Sequence, residues 1–143
     1  MRNTWKMLAP VALAAQVFAG GFYLQIGNPE ASKEAQQLGA VMTIQAAGCH
    51  DPATAKITAT AIGIVNGERR EVPLKVVAMS TPGMFAVTQP WPKEGKWLVR
   101  LEGRNPGQYT NTLIGVNAGG IDRGRFREDL HQFSSADVEA MLK

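Results

Sequence analysis

One cysteine and two histidines are all that the 143 residues offer of the side chains most used in metal and covalent chemistry. With Cys49 alone, no intrachain disulfide can form, so a folded domain must be held by its apolar core. Charge is sparse too: Asp, Glu, Lys and Arg make up 19% of the chain. The formal charge is +3, but Arg2 and Lys6 stand apart at the N-terminus, and from Asn28 onward thirteen basic residues face twelve acidic ones. A general nucleic-acid role needs a concentrated positive surface. The nearest approach, Arg123, Arg125 and Arg127, is interleaved with Asp122, Glu128 and Asp129, so no nucleic-acid partner is expected. There is no glycine-rich phosphate loop between a strand and a helix, no internal repeat and no low-complexity tract.

An apolar run does stand out. Arg2 and Lys6 precede Met7 to Gly27, which is interrupted only by Pro10, Gln16 and Gln25. A basic start followed by such a run is an export segment. Two readings compete for residues 1–27. In one, Val17-Phe18-Ala19 ends a cleaved signal peptide. In the other, residues 7–27 remain as a membrane anchor, since 21 residues in a helix would rise roughly 30 Å, the thickness of the hydrocarbon layer. Both place the protein outside the cytoplasm, in the periplasm or on the outer face of the membrane. Residues 28–39 are polar and read as a linker or a short helix.

The middle of the chain, residues 40–118, reads as strands. Ala40 to Ala47 alternates, and Ala55 to Val65 is long with Ile57, Ala59 and Ala61 on one face. Asn66-Gly67 is the favoured pair for a tight hairpin turn. Arg70 to Met79 follows, with Val72, Leu74, Val76 and Ala78 inward, and Pro73 predicts an edge or a bulge because it cannot donate to a ladder. Met84 to Gln89 leads into a proline-rich corner at Trp91. From Lys96, Trp97, Val99 and Leu101 share one face, and Leu98, Arg100 and Glu102 the other. Tyr109 to Asn117 is the last clear strand. Six short strands with Pro/Gly punctuation and no helix between them predict two packed antiparallel sheets enclosing Trp97. Residues 119–143 read as a charged, irregular tail that ends in a short helix, Ala136 to Leu142, capped by Ser134 or Ser135. The expected class is all-β, an immunoglobulin-like antiparallel sandwich with an N-terminal signal or anchor helix and a short C-terminal helix.

Candidate chemistry gathers at one loop. Cys49 and His50 together can ligate Cu(I) or Zn(II), and Met79 and Met84, beside a neighbouring turn, would add thioethers suited to copper. Without them no cofactor is expected. Ala46-Ala47-Gly48-Cys49-His50 resembles the haem-attachment motif of c-type cytochromes with its first cysteine replaced, and Ala47-Gly48-Cys49 resembles the end of a lipobox placed too far along a polar stretch. As adjacent residues on an extended chain, Cys49 and His50 point apart, which disfavours a nucleophile–base pair, so no enzyme activity is expected. Trp91, between Pro90 and Pro92, is either an exposed partner-binding anchor or a lid on the core.

Pro82-Gly83-Met84-Phe85-Ala86-Val87, followed by Gly95-Lys96-Trp97-Leu98-Val99, resembles a hairpin of the immunoglobulin-like exported modules of bacteria, broadly the FixH/YtkA-like group. The resemblance implies a membrane-associated accessory role, in some relatives linked to copper handling or oxidase assembly. The function expected is a non-catalytic binding module outside the cytoplasm with a protein partner in the cell envelope, docked by strand addition at an edge such as that of Pro73. The alternative is a copper- or zinc-binding protein using Cys49 and His50.

Overall fold

The computed structural model of the protein describes residues 21–143. Among them, in chain order, lie the strands β1 (Tyr23–Gly27), β2 (Met42–Ala47), β3 (Lys56–Val65), β4 (Glu68–Leu74), β5 (Val76–Ala78), β6 (Met84–Val87), β7 (Lys96–Asn105), β8 (Gln108–Asn117) and β9 (Gly120–Asp129). Helix α1 (Lys33–Gln37) follows β1, and α2 (Ser135–Leu142) closes the chain. The strands make two antiparallel sheets, ordered β1-β2-β6-β5 and β4-β3-β7-β8-β9. They form a β-sandwich, with Leu24, Ile44 and Val87 of the first sheet packed against Ala61, Trp97, Val99 and Ile114 of the second.

Trp97 is 2% exposed. It sits opposite Gly63 on β3, and a Cβ at Gly63 would lie inside the indole ring's van der Waals radius. The indole N–H donates to the carbonyl of Glu94, so the ring's polar atom is satisfied in the core. The hairpin turns form as the sequence predicts. Asn66 and Gly67 both have positive φ, 52° and 79°, as the tight turn between β3 and β4 requires. Pro73 lies on β4, which is an edge strand.

Three connections carry the chain from one sheet to the other. Residues 48–55 join β2 to β3, Lys75 alone separates β4 from β5, and residues 88–95 join β6 to β7. The expected hairpin of Met84–Val87 with Lys96–Val99 is therefore absent: β6 and β7 belong to opposite sheets. The cause is the corner itself. Trp91 is drawn into the main core and its indole N–H donates to the Asn117 carbonyl at 2.9 Å, so the chain turns over the end of the sandwich.

The sandwich is also wider than residues 40–118. The last five residues of the apolar run expected as signal or anchor, Tyr23–Gly27, are strand β1, while the segment as far as residue 20 lies outside the described residues. Ser32 caps α1 by accepting from the Ala35 N–H. The Glu34 carboxylate accepts from the Ser80 hydroxyl and N–H, both at 2.7 Å, and so ties the expected linker to the turn before β6. The tail expected to be irregular supplies β9. The pairing with β8 jumps from Ile114↔Phe126 to Gly115↔Asp122, a bulge that interrupts the alternation.

The C-terminal helix forms as expected. Ser134 and Asp137 make a reciprocal capping box, and Arg127 pairs with Asp137 at 3.2 Å. Val138 and Leu142 are buried over Ile62, Leu98 and Leu113 on the outer face of the five-stranded sheet, forming a second small core. Burying two such side chains contributes about 1.5–3 kcal/mol each, enough to hold a helix that would be marginal alone.

The Gly63–Trp97 contact yields a direct test. Gly63→Ala should lower stability by about 1–3 kcal/mol, the usual cost of overpacking a filled core. The measurement is urea unfolding followed by tryptophan emission, where the midpoint should fall and the slope should hold.

Candidate functional site

The chain leading into β1 passes through a narrow slot. A Cβ on Gly21 would lie 3.0 Å from the Leu130 side chain, and a Cβ on Gly48 would lie 2.6 Å from the Gly21 carbonyl oxygen. Gly48 has φ of 69°, a left-handed value that suits glycine. One residue later, Phe22 is 1% exposed and stacks over Gly103, where a Cβ would come within 2.8 Å of the ring. Tyr23 turns outward. These residues, with Thr110 of β8 and Glu128, Asp129 and Leu130 at the end of β9, line a cleft of about 700 Å³. Leu130 is 54% exposed beside it.

The cleft is apolar at its base and acidic at its rim. The His131 N–H, and then its ring, hold the Asp129 carboxyl below the usual carboxylate range. Glu128 is paired with Thr112 in the β8–β9 ladder, and its carboxylate makes no side-chain hydrogen bond or ion pair among the described residues. By strand alternation Thr112 shares the inward face of β8 with Thr110. It is fully buried and its hydroxyl meets no partner among the described residues. β1 and β9 both end their sheets, so the cleft opens between two strand edges. Arg123 crosses between them and donates to the Ile26 carbonyl at 3.0 Å.

The expected site residues lie elsewhere. Cys49 is half-buried against the main core, while His50 is exposed. Met79 and Met84 face each other across the turn before β6, with the Met79 N–H donating to the Met84 carbonyl at 2.8 Å. That turn does reach the Cys49 loop: a Cβ on Gly83 would lie 2.6 Å from Pro52. Among the described residues no three His, Cys, Asp or Glu side chains converge as a metal set would. Trp91 is 8% exposed, so the lid arrangement is the one observed. It lines a smaller cavity, about 520 Å³, with Val41, Lys93 and Ile121 at the opposite end. None of the cleft residues was marked by the sequence motifs. The available signal was the alternation of Tyr23-Leu24-Gln25-Ile26, which the preceding apolar run conceals.

On the outer face of the same sheet, charges form a ladder across strands. Glu71 pairs with Arg69 and Arg100, and Glu102 with Arg100 and Arg104. Behind it, Asn111 is 1% exposed and neither amide atom has a protein partner among the described residues. Burial, and then the Glu102 carboxylate, push the neighbouring Tyr109 phenol above its ordinary range, against the pull of Arg104, whose guanidinium lies 4.9 Å from the ring centre. The arrangement is a packed polar layer without a nucleophile and base in contact.

No family model, curated protein or solved structure matches this chain.

The Tyr109 shift predicts a pH dependence. The folded state holds the phenolic proton more tightly than the unfolded one, so its contribution is complete below the ordinary tyrosine value and is lost as pH rises through the raised one. Urea midpoints measured from about pH 9 to about pH 11 should therefore fall, and Tyr109→Phe should flatten that decline.

Proposed function

We propose that the protein is a non-catalytic binding module outside the cytoplasm, which takes an extended apolar segment of a cell-envelope protein into the cleft between β1 and β9. The observation that carries this reading is the pairing of an apolar cleft with an uncharged strand edge. β1 reads Tyr-Leu-Gln-Ile-Gly, and it has β2 on one side only. The Ile26 carbonyl that accepts from Arg123 marks its open side, and Leu24, two residues earlier, presents its N–H and C=O in the same direction. A guest strand pairing there would lay alternate side chains into the cleft over Phe22 and Thr110.

The edge first expected to dock a partner, β4, is less suited. It carries Glu68, Arg69, Arg70, Glu71 and Pro73, the charges and proline by which edges resist strand addition. The basic N-terminal residues and apolar run support export. Strand order supports an immunoglobulin-like module: lettered A to G, β1-β2-β6-β5 reads A-B-E-D and β4-β3-β7-β8 reads C′-C-F-G, with β9 added.

A fluorescent peptide of about eight alternating valines and threonines tests it by anisotropy against the purified protein. Binding is expected. Leu130→Asp, or methylation of the peptide nitrogens, should weaken it about tenfold, some 1.4 kcal/mol, while Arg70→Asp on β4 should leave it unchanged. Binding indifferent to Leu130 and sensitive to Arg70 would return the docking edge to β4.

A further inference from the structure

We infer that the chain is cut between Ala19 and Gly20, so that the mature protein begins at the mouth of the cleft. The inference rests on the export part of the reading above, and on what β1 withdraws from the apolar run. Phe22 is buried in the sandwich core, and Tyr23–Gly27 pairs with β2 along its full length. Gly21 lies in the slot between Gly48 and Leu130, its carbonyl oxygen 2.6 Å from where a Cβ on Gly48 would stand and the Leu130 side chain 3.0 Å from where its own Cβ would. None of these residues is available to a membrane helix while the domain is folded. Between Lys6 and Gly21 only Met7 to Gly20 remain, 14 residues. As a helix they would rise roughly 21 Å, against about 30 Å of hydrocarbon and the 17 or more residues a span uses.

Met7 to Ala19, the 13 residues before the cut, instead suit the apolar core and cleavage end of a signal peptide, and Val17-Phe18-Ala19 supplies small side chains one and three residues before the cut. The step is hydrolysis by a membrane-bound signal peptidase. Water adds across the Ala19–Gly20 peptide bond, its oxygen going to the Ala19 carbonyl, which leaves as a carboxylate, and the Gly20 nitrogen leaves as an ammonium group. The cut has a consequence for the cleft. An uncut chain would carry its apolar segment out of the slot directly beside the docking surface. The cut leaves a single glycine there and puts a positive charge one residue from Gly21, which lines the cleft together with Glu128.

The test expresses the full chain in a bacterial host and reads the N-terminus of the exported product by intact mass and terminal sequencing. The expected product begins at Gly20 and is released from membranes by alkaline extraction, and Ala19→Leu reduces the processed fraction at least tenfold. An exported product, digested by protease in spheroplasts, that keeps residues 7–19 or begins at another residue overturns the cut and leaves the export reading standing. A chain protected from protease in spheroplasts overturns both.

Discussion

An indole seated on a glycine holds the two layers of this protein together. Trp97 and Gly63 are cross-strand partners on the central strands β7 and β3 of the larger sheet, and the missing Cβ of Gly63 is what lets the ring lie flat against the backbone. The ring then reaches the interior, where it joins the same core as Met42, Ile44 and Val87 from the other sheet. A glycine in a strand interior costs conformational entropy. Here that cost is offset by the apolar area of a full tryptophan side chain removed from water. The same device recurs at the cleft, where Gly103 receives the ring of Phe22, so that each end of β7 pairs a small backbone position with a large aromatic.

The connections between sheets follow from this core. A two-layer sandwich must be crossed by its chain, and each crossing covers an open end. The Trp91 corner closes one end by placing a second indole over the core. The Cys49 loop closes the other, pinned by Asn105, whose side-chain amide donates to the Asp51 carbonyl at 2.7 Å and to the Thr54 hydroxyl at 3.1 Å. Residues that look chemically distinctive in the sequence, Cys49 and Trp91, are thus placed where the fold needs plugs. Their half-buried and buried states reflect that use.

The legible part of the sequence was the part with clean alternation. Lys56–Val65, Lys96–Leu101 and Tyr109–Asn117 show period two and short turns, and the sandwich and its enclosed Trp97 follow from them, while the edge or bulge at Pro73 and the helix capped by Ser134 or Ser135 follow from proline and serine chemistry. Apolar residues on both faces of Ile62–Val65 also had a cause, since Ile62 faces the terminal helix. Two strands were hidden for different reasons. β1 continues an apolar run whose composition matches an export segment, and periodicity cannot mark where one ends and the other begins. β9 contains the bulge at Asp122-Arg123-Gly124-Arg125, which breaks the alternation, and its side chains are mostly charged because one face meets solvent. The cleft is built from these two strands, so it could not be seen until both were placed.

Edge protection decides which surface remains available. β4 is guarded by its own charges and by Pro73, and β9 is distorted by its bulge, where Arg125 reaches back over Gly115 to the Val116 and Met141 carbonyls at 3.4 Å. Both features oppose the pairing of a further strand. β1 has neither charge nor proline, and among the described residues one side-chain hydrogen bond, from Arg123 to the Ile26 carbonyl, reaches its open side. An exposed, uncharged edge beside an apolar cleft is a hazard for a chain that has no occupant for it. β5, the remaining edge, has neither charge nor proline but is only three residues long, too short to template a further strand, which leaves β1 as the edge on which the proposed docking depends.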